Sequence, residues 1–271
     1  MTEYFNIPPR AQIHVPISKK LLAEKLLLTA SERRLLRDGI VSVDMRGLFQ
    51  PQTVGLAEYV DADHLYNQFV VTEAELKTDE KREAAARLLQ QAFPAPMFLV
   101  LRCGDACCVC WCDKRINRAD AAKRVVEDLR LTRWLHPSEA EAYVKDWLAS
   151  LDTTHPSCHN LKELYDAIAR NLAELEVADE TGIFSSPDAK TLARQQLWLA
   201  RLKANREEQA AIQVRLKQES QFNERVRLTA RLRELQNISG QWVVDSGQRR
   251  HETASKAHKV TFGGLKASNE Q

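Results

Sequence analysis

Apolar positions alternate between two periods along the first two thirds of the chain. Leu21, Leu22, Leu26 and Leu28 recur at helical spacing behind Ser18, which is placed to cap a helix start. Thr29 and Glu32 have capping-box spacing, so a second short helix runs to Arg37 and breaks at Asp38-Gly39. Ile40, Val41 and Val43 open a strand that ends by Phe49, and Pro51 to Val60 reads as a turn followed by extended chain. Tyr66 to Leu76 is the next strand, with Phe69 and Val71 on one face and Val70 on the other. Thr78-Asp79 opens a helix presenting Ala84, Ala85, Leu88, Leu89 and Phe93, and Pro94 and Pro96 stop it. Met97 to Leu101 is apolar at every position, as a strand covered on both faces would be. Gly104-Asp105 predicts a hairpin turn into a return strand, Ala106 to Cys112, and Val125 to Leu131 predicts one more.

Helical spacing then takes over. Ser138 with Glu141, and Asn160 with Glu163, have capping-box spacing ahead of Tyr143, Val144, Trp147 and Leu148, and ahead of Leu164, Ile168, Leu172 and Leu175. From Ser186 to Ile238 there is no Gly, and no Pro after Pro187. Ser186 can cap, Pro187 suits the first helical position, and Gly240 offers a stop. An unbroken helix here would be about 78 Å long. Its stripe drifts: Leu192, Leu199 and Leu202 are followed by Arg206-Glu207-Glu208. Ile212 and Leu216 resume it, then Phe222 and Val226, then Leu228, Leu232 and Leu235 on a shifted face. Such drift does not sustain a long dimeric coiled coil, which needs constant a and d positions. Either a hairpin turning near Gln218 to Asn223 or one helix with different neighbours along its length satisfies it.

The order of elements predicts an α+β fold. A small mixed-sheet body with flanking helices is followed by a long, coiled-coil-like C-terminal helix or helical hairpin. The expected divisions are an N-terminal arm, 1–17; the body, 18–151; a helical connector, 152–185; the helical extension, 186–238; and a basic, flexible tail, 239–271. Hydrophobic residues at 44% and charged residues at 28% are ordinary for a soluble chain. No apolar run approaches the roughly 18 residues of a membrane span, and residues 1–10 lack a secretory apolar core. Crowding of Cys107, Cys108, Cys110 and Cys112 on one segment suits a reducing cytoplasm better than disulfides. The net charge of +2 divides unevenly: residues 187–271 carry sixteen Lys and Arg against nine Asp and Glu. That basic third favours an acidic partner, with nonspecific nucleic-acid contact by the C-terminal region as one form of it.

Five segments taken in order resemble an uncharacterised bacterial family, the domain of unknown function numbered 4391. They are Gly39 to Phe49, Tyr66 to Lys77, Leu88 to Val100, Thr132 to Leu135 and Gln221 to Leu228. Thr229 stands where the resemblance leads one to expect a second Asn, and Cys107 to Cys112 where it leads one to expect aliphatic residues. The resemblance implies an accessory subunit of an anti-phage or restriction-type complex. The implied partner is a larger protein such as a helicase, methyltransferase or nuclease subunit.

Four constellations are candidates for function. The helix around Phe222, Asn223, Val226, Leu228 and Leu232 offers a docking stripe, with Asn223 as a polar register residue. Glu75-Leu76-Lys77, with Asp44 as a second carboxylate, has the acid-x-Lys spacing of a Mg²⁺-dependent nuclease resembling the PD-(D/E)xK group. Cys108, Cys110, Cys112, Cys158 and His159 are the zinc-ligand candidates, against the plainer reading of the strand thiols as small core hydrophobes. A Cys nucleophile with His155 or His159 lacks an orienting acid at any evident spacing. The expectation is therefore a non-catalytic adaptor with no cofactor, and the nuclease is the alternative.

Overall fold

A computed structural model of the chain describes residues 2–120, 124–154 and 158–240. The expected tail lies outside these from residue 241 on, as does His155. Two units are distinguished, Met1–Ala173 and Glu174–Gln271.

The first unit is built on a mixed six-stranded sheet. In chain order its elements begin with β1 (Gln12–Pro16), α1 (Lys19–Lys25), α2 (Ala30–Arg34), a π-helical turn (Leu35–Gly39) and β2 (Ile40–Phe49). Then come α3 (Pro51–Val54), a small ribbon of β3 (Tyr59–Val60) and β4 (Leu65–Tyr66), β5 (Phe69–Leu76) and α4 (Arg82–Ala92). β6 (Met97–Cys103), β7 (Ala106–Ile116), β8 (Arg124–Leu131) and α5 (Ala142–Ala149) follow, and α6 (Leu161–Thr181) crosses the unit boundary. The sheet order is β1-β2-β5-β6-β7-β8, antiparallel throughout except for β5 and β6. That parallel pair requires a crossover, and α4 supplies it.

Strand alternation sends each face of the sheet to a different core. Val43, Val70, Ala74, Leu99, Leu101, Cys108 and Cys110 meet α4 through Ala85, Ala86, Leu88 and Leu89. The opposite face is aromatic. Phe98 stacks on Tyr165 of α6 at 4.3 Å between centroids, and Phe69 meets both rings edge-on. Tyr165 donates its hydroxyl to Cys112 O at 2.9 Å, and Trp147 of α5 donates Nε1 to Asn171 O at 2.9 Å. Phe5, ahead of β1, is fully buried 5.8 Å from Phe98. Gly47 sits at a register shift in β2, where a Cβ would lie 3.0 Å from Ile7 Cδ1. Gly104 takes φ +58° in the β6–β7 turn, a conformation that favours glycine.

The second unit closes a helical hairpin. α7 (Ala189–Gln218) ends at Glu219, whose extended backbone breaks the helix, and Glu219 Oε1 accepts from the Gln221 N–H at the next start. The returning helix, α8, covers residues 222–240. Ile212, Leu228 and Leu235 form the seam, with Leu216 and Leu232 packed on it. Of the two arrangements that the drifting stripe permitted, this is the hairpin: α7 and α8 each spend one stripe on the other. Gln209 pins the register, donating Nε2 to Asn205 Oδ1 at 2.6 Å and to Ser239 Oγ at 3.2 Å. Ahead of the hairpin, Arg206 of α7 forms a fork on Glu180 of α6 at 2.6 and 2.7 Å.

Several local expectations need correction. Ser18 makes no capping bond, whereas the Thr29–Glu32 box forms in full. Ser138 lies in a 3₁₀ turn, Pro137–Glu139, and α5 starts behind Glu141 without a side-chain cap. The cap of α7 is Asp188, which accepts from the Thr191 N–H at 2.6 Å, so Ser186 and Pro187 precede the helix. On α4, Ala84 is exposed and Ala86 takes the buried place beside Ala85.

Candidate functional site

The hairpin fixes which face of α8 remains open. Residues 228, 232 and 235, spaced by four and three, turn inward onto α7. The opposite stripe is Phe222, Val226, Thr229, Ala230 and Arg233. Phe222 is 78% exposed and Val226 54%. Together with Ser220 and Arg225 these residues line an open groove of about 560 Å³. Thr229 donates its hydroxyl to Arg225 O at 2.7 Å, so that hydroxyl is already satisfied within the helix. Of the five residues expected to bind a partner, the structure keeps Phe222, Asn223 and Val226 on the surface. It places Leu228 and Leu232 in the hairpin interior.

The arginines of the hairpin fall into two sets. Arg227 pairs with Glu224 at 2.9 Å, Arg215 with Glu224 at 3.5 Å, and Arg231 with Glu208 and Glu234 at 3.0 and 2.9 Å. Arg225 and Arg233, which flank the groove, are exposed and have no ion-pair partner among the described residues. Ala230, Arg225 and Arg233 join the site only in the structure, and Thr229, singled out by the resemblance alone, takes a place in the groove. The available signal was the spacing of Thr229, Ala230 and Arg233, seven, eight and eleven residues from Phe222 and out of phase with the seam.

The nuclease candidates lie in the other unit. Asp44 of β2 stands opposite Glu73 of β5, and Glu75 opposite Ser42. Strand alternation therefore puts Asp44, Glu73 and Glu75 on one face. Asp44 lies 3.4 Å from His14 Nε2. Glu73 accepts from Thr2 Oγ1 at 2.8 Å and meets Arg102 at 3.3 Å and Arg46 at 3.9 Å. Glu75 is exposed, and Lys77 lies just past the strand end with its backbone N–H on Gly39 O. Glu73, which the acid-x-Lys reading did not include, sits between the two expected carboxylates. Among the described residues, no three His, Cys, Asp or Glu side chains are grouped to hold a metal ion.

The thiols of β7 divide by face. Cys110 and Cys112 of the α4 side flank the Gln90 amide: Gln90 Nε2 lies 3.7 Å from Cys110 Sγ, and Cys112 Sγ donates to Gln90 Oε1 at 3.2 Å. Cys108 completes this buried row. His159 holds Glu163 at 3.1 Å at the start of α6, and Cys158 is half-buried. Burial pushes the Cys108 thiol up to about 12, the Cys112 thiol up to about 11 and the Cys110 thiol further still. Thiolates are the reactive form, so these sulfurs are inert in the native state. A thiol reagent is expected to modify at most Cys103 and Cys158 in the folded chain and all six cysteines in denaturant, counted by mass spectrometry. Folded values above the unfolded one mean that this stability is full below about pH 9. It falls away as pH rises through about 11 and 12, which pH-dependent urea unfolding reads directly.

A mixed-sheet α/β unit joined to a helical hairpin with one apolar face left open defines the class by architecture rather than by chemistry. The chain belongs to the family described as a domain of unknown function (DUF4391), whose model matches residues 5–238. No curated protein and no solved structure matches it. No helix among the described residues is long and apolar enough to cross a membrane.

Proposed function

We propose that this protein is a non-catalytic adaptor of a bacterial anti-phage or restriction-type complex, docking onto a larger enzyme through the open face of α8. The observation that carries the reading is the exposure of Phe222 and Val226 on a helix whose other apolar stripe is already covered. Apolar surface rimmed by charged residues is the usual form of a protein interaction site, and Arg225 and Arg233 rim this groove. The partner class, a helicase, methyltransferase or nuclease subunit, comes from the family resemblance, and the cytoplasm is the matching compartment. The test is co-purification of the full chain with the products of adjacent genes. Phe222→Asp with Val226→Asp is expected to abolish co-purification while leaving the circular dichroism spectrum and melting temperature unchanged. Retention of the partner by that variant overturns the reading.

A second reading, a Mg²⁺-dependent nuclease, is favoured by one observation: Asp44, Glu73 and Glu75 share a face of adjacent strands. Two arginines beside Glu73 already neutralise part of that charge. On this reading, Glu75→Ala with Lys77→Ala abolishes cleavage of plasmid DNA in Mg²⁺. On the adaptor reading the purified protein does not cleave, and the same variant keeps its partner.

A further inference from the structure

The docking reading leaves the partner's chemistry open, and the two sets of arginines narrow it. We infer that the groove of α8 receives an acidic amphipathic helix from a different protein, whose apolar stripe covers Phe222 and Val226 and whose carboxylates pair with Arg225 and Arg233. This rests on the docking reading.

Three features lead there. The first is the division of charge. Each arginine of α8 that lies away from the groove pairs with a glutamate of the hairpin, and the two that flank the groove have no ion-pair partner among the described residues. A charge left unpaired beside an exposed apolar strip is where a partner's opposite charge raises on-rate and fixes register. The second is geometry. The apolar residues recur at 222, 226 and 229/230 along two turns of helix, the spacing by which one helix packs along another. Arg225 and Arg233 are eight residues apart, or roughly 12 Å along the axis. A partner helix running alongside therefore carries its carboxylates seven or eight residues apart, with apolar residues between them.

The third is what the charges exclude. A second copy of this chain, packed on the same face by a two-fold axis, would bring four unpaired arginines together, and like charges oppose such a contact. The chain's own C-terminal segment, 241–271, carries five Lys and Arg against three Asp and Glu, the wrong sign for this groove. A nucleic acid would use the arginines but leave Phe222, Val226 and Ala230 without an apolar counterpart.

The experiment places the photo-crosslinking residue benzoylphenylalanine at Ala230 of the full chain, made in the cells that naturally produce it. The captured peptide is then sequenced by mass spectrometry. The expected capture is a segment of another protein with Asp or Glu at the seven- or eight-residue spacing and apolar residues between. Synthesised, that segment binds the full chain with an affinity that Arg225→Glu with Arg233→Glu lowers at least tenfold. Arg225→Lys with Arg233→Lys retains it within about threefold, and added salt weakens it, as screening of exposed charge requires. A captured segment of another protein lacking the carboxylates overturns this inference and leaves the docking reading standing. Capture of a peptide from the chain itself overturns the acidic partner and assigns the groove to self-association. Capture of nucleic acid alone, or of nothing, removes both.

Discussion

Replacing Phe98 by Ala is expected to lower the unfolding free energy of the sheet unit by about 3–5 kcal/mol. Phe98 is fully buried and lies at the centre of the aromatic face. It stacks on Tyr165 at 4.3 Å, meets Phe69 at 6.0 Å edge-on and Phe5 at 5.8 Å. It is therefore where β6, α6 and the segment ahead of β1 all converge. The loss has two parts, the transfer of a buried ring and the cavity its removal leaves. Collapse into that cavity is hindered because Tyr165 is held by its hydroxyl on Cys112 O and Phe69 by its pairing with Phe49 of β2. Phe222→Ala provides the contrast. Its ring is already mostly in water, so the change is expected to stay within about 0.5 kcal/mol. Urea unfolding followed by near-ultraviolet circular dichroism checks both variants. Equal effects would mean that the aromatic face does not act as a core.

The strands were legible because their signal is local. Met97–Cys103 reads as covered on both faces because nothing polar interrupts it until Arg102. The alternation of Cys108, Cys110 and Cys112 with Val109 and Trp111 gave the two faces of β7 correctly. Caps were less legible, since a capping box needs a backbone conformation as well as spacing. Thr29 has it, and Ser138, held in a 3₁₀ turn behind Pro137, does not. The hairpin was half legible. A drifting stripe shows that one straight seam cannot serve the whole stretch. The break at Glu219 carries no Gly or Pro to announce it.

The candidate site was legible in Phe222 and Val226 and illegible in its charges. Five of the sixteen basic residues in the C-terminal third, Arg215, Arg225, Arg227, Arg231 and Arg233, lie on or facing α8. The pairs Glu224–Arg227 and Arg231–Glu234 have helical spacing, but Arg215 meets Glu224, and Arg231 meets Glu208, only once the chain reverses. The same limit applies to Glu73. Its neighbours Arg46 and Arg102 come from two other strands, and no sequence spacing connects the three.

Lys114 carries the remaining large prediction. Asp113-Lys114-Arg115 is a run of charged residues, yet extending the alternation of Cys108, Cys110 and Cys112 by two residues puts Lys114 inside. It is 1% exposed. Its ammonium donates to Phe93 O at 2.6 Å and to Ala95 O at 2.8 Å, tying down the extended segment that follows α4. Desolvation nevertheless dominates and pulls its pKa down to about 8, against an opposing influence from the Cys112 and Cys110 sulfurs. Lys114→Ala removes both donors and leaves a cavity, so a loss of about 3–5 kcal/mol is expected at pH 7. Lys114→Met keeps the volume and removes the buried charge, so it is expected to lose far less, or nothing, at that pH. The folded value lies below the unfolded one. Between about pH 8 and the ordinary lysine range the unfolded chain therefore binds more protons, and this residue's contribution to stability rises with pH. The wild type should thus gain on Lys114→Met by about 3 kcal/mol as pH climbs through that window, a difference in which the shared loss from the β7 thiols cancels. Paired urea titrations at pH 7 and pH 10 read it, and a pH-independent gap would mean that Lys114 titrates as it would in water.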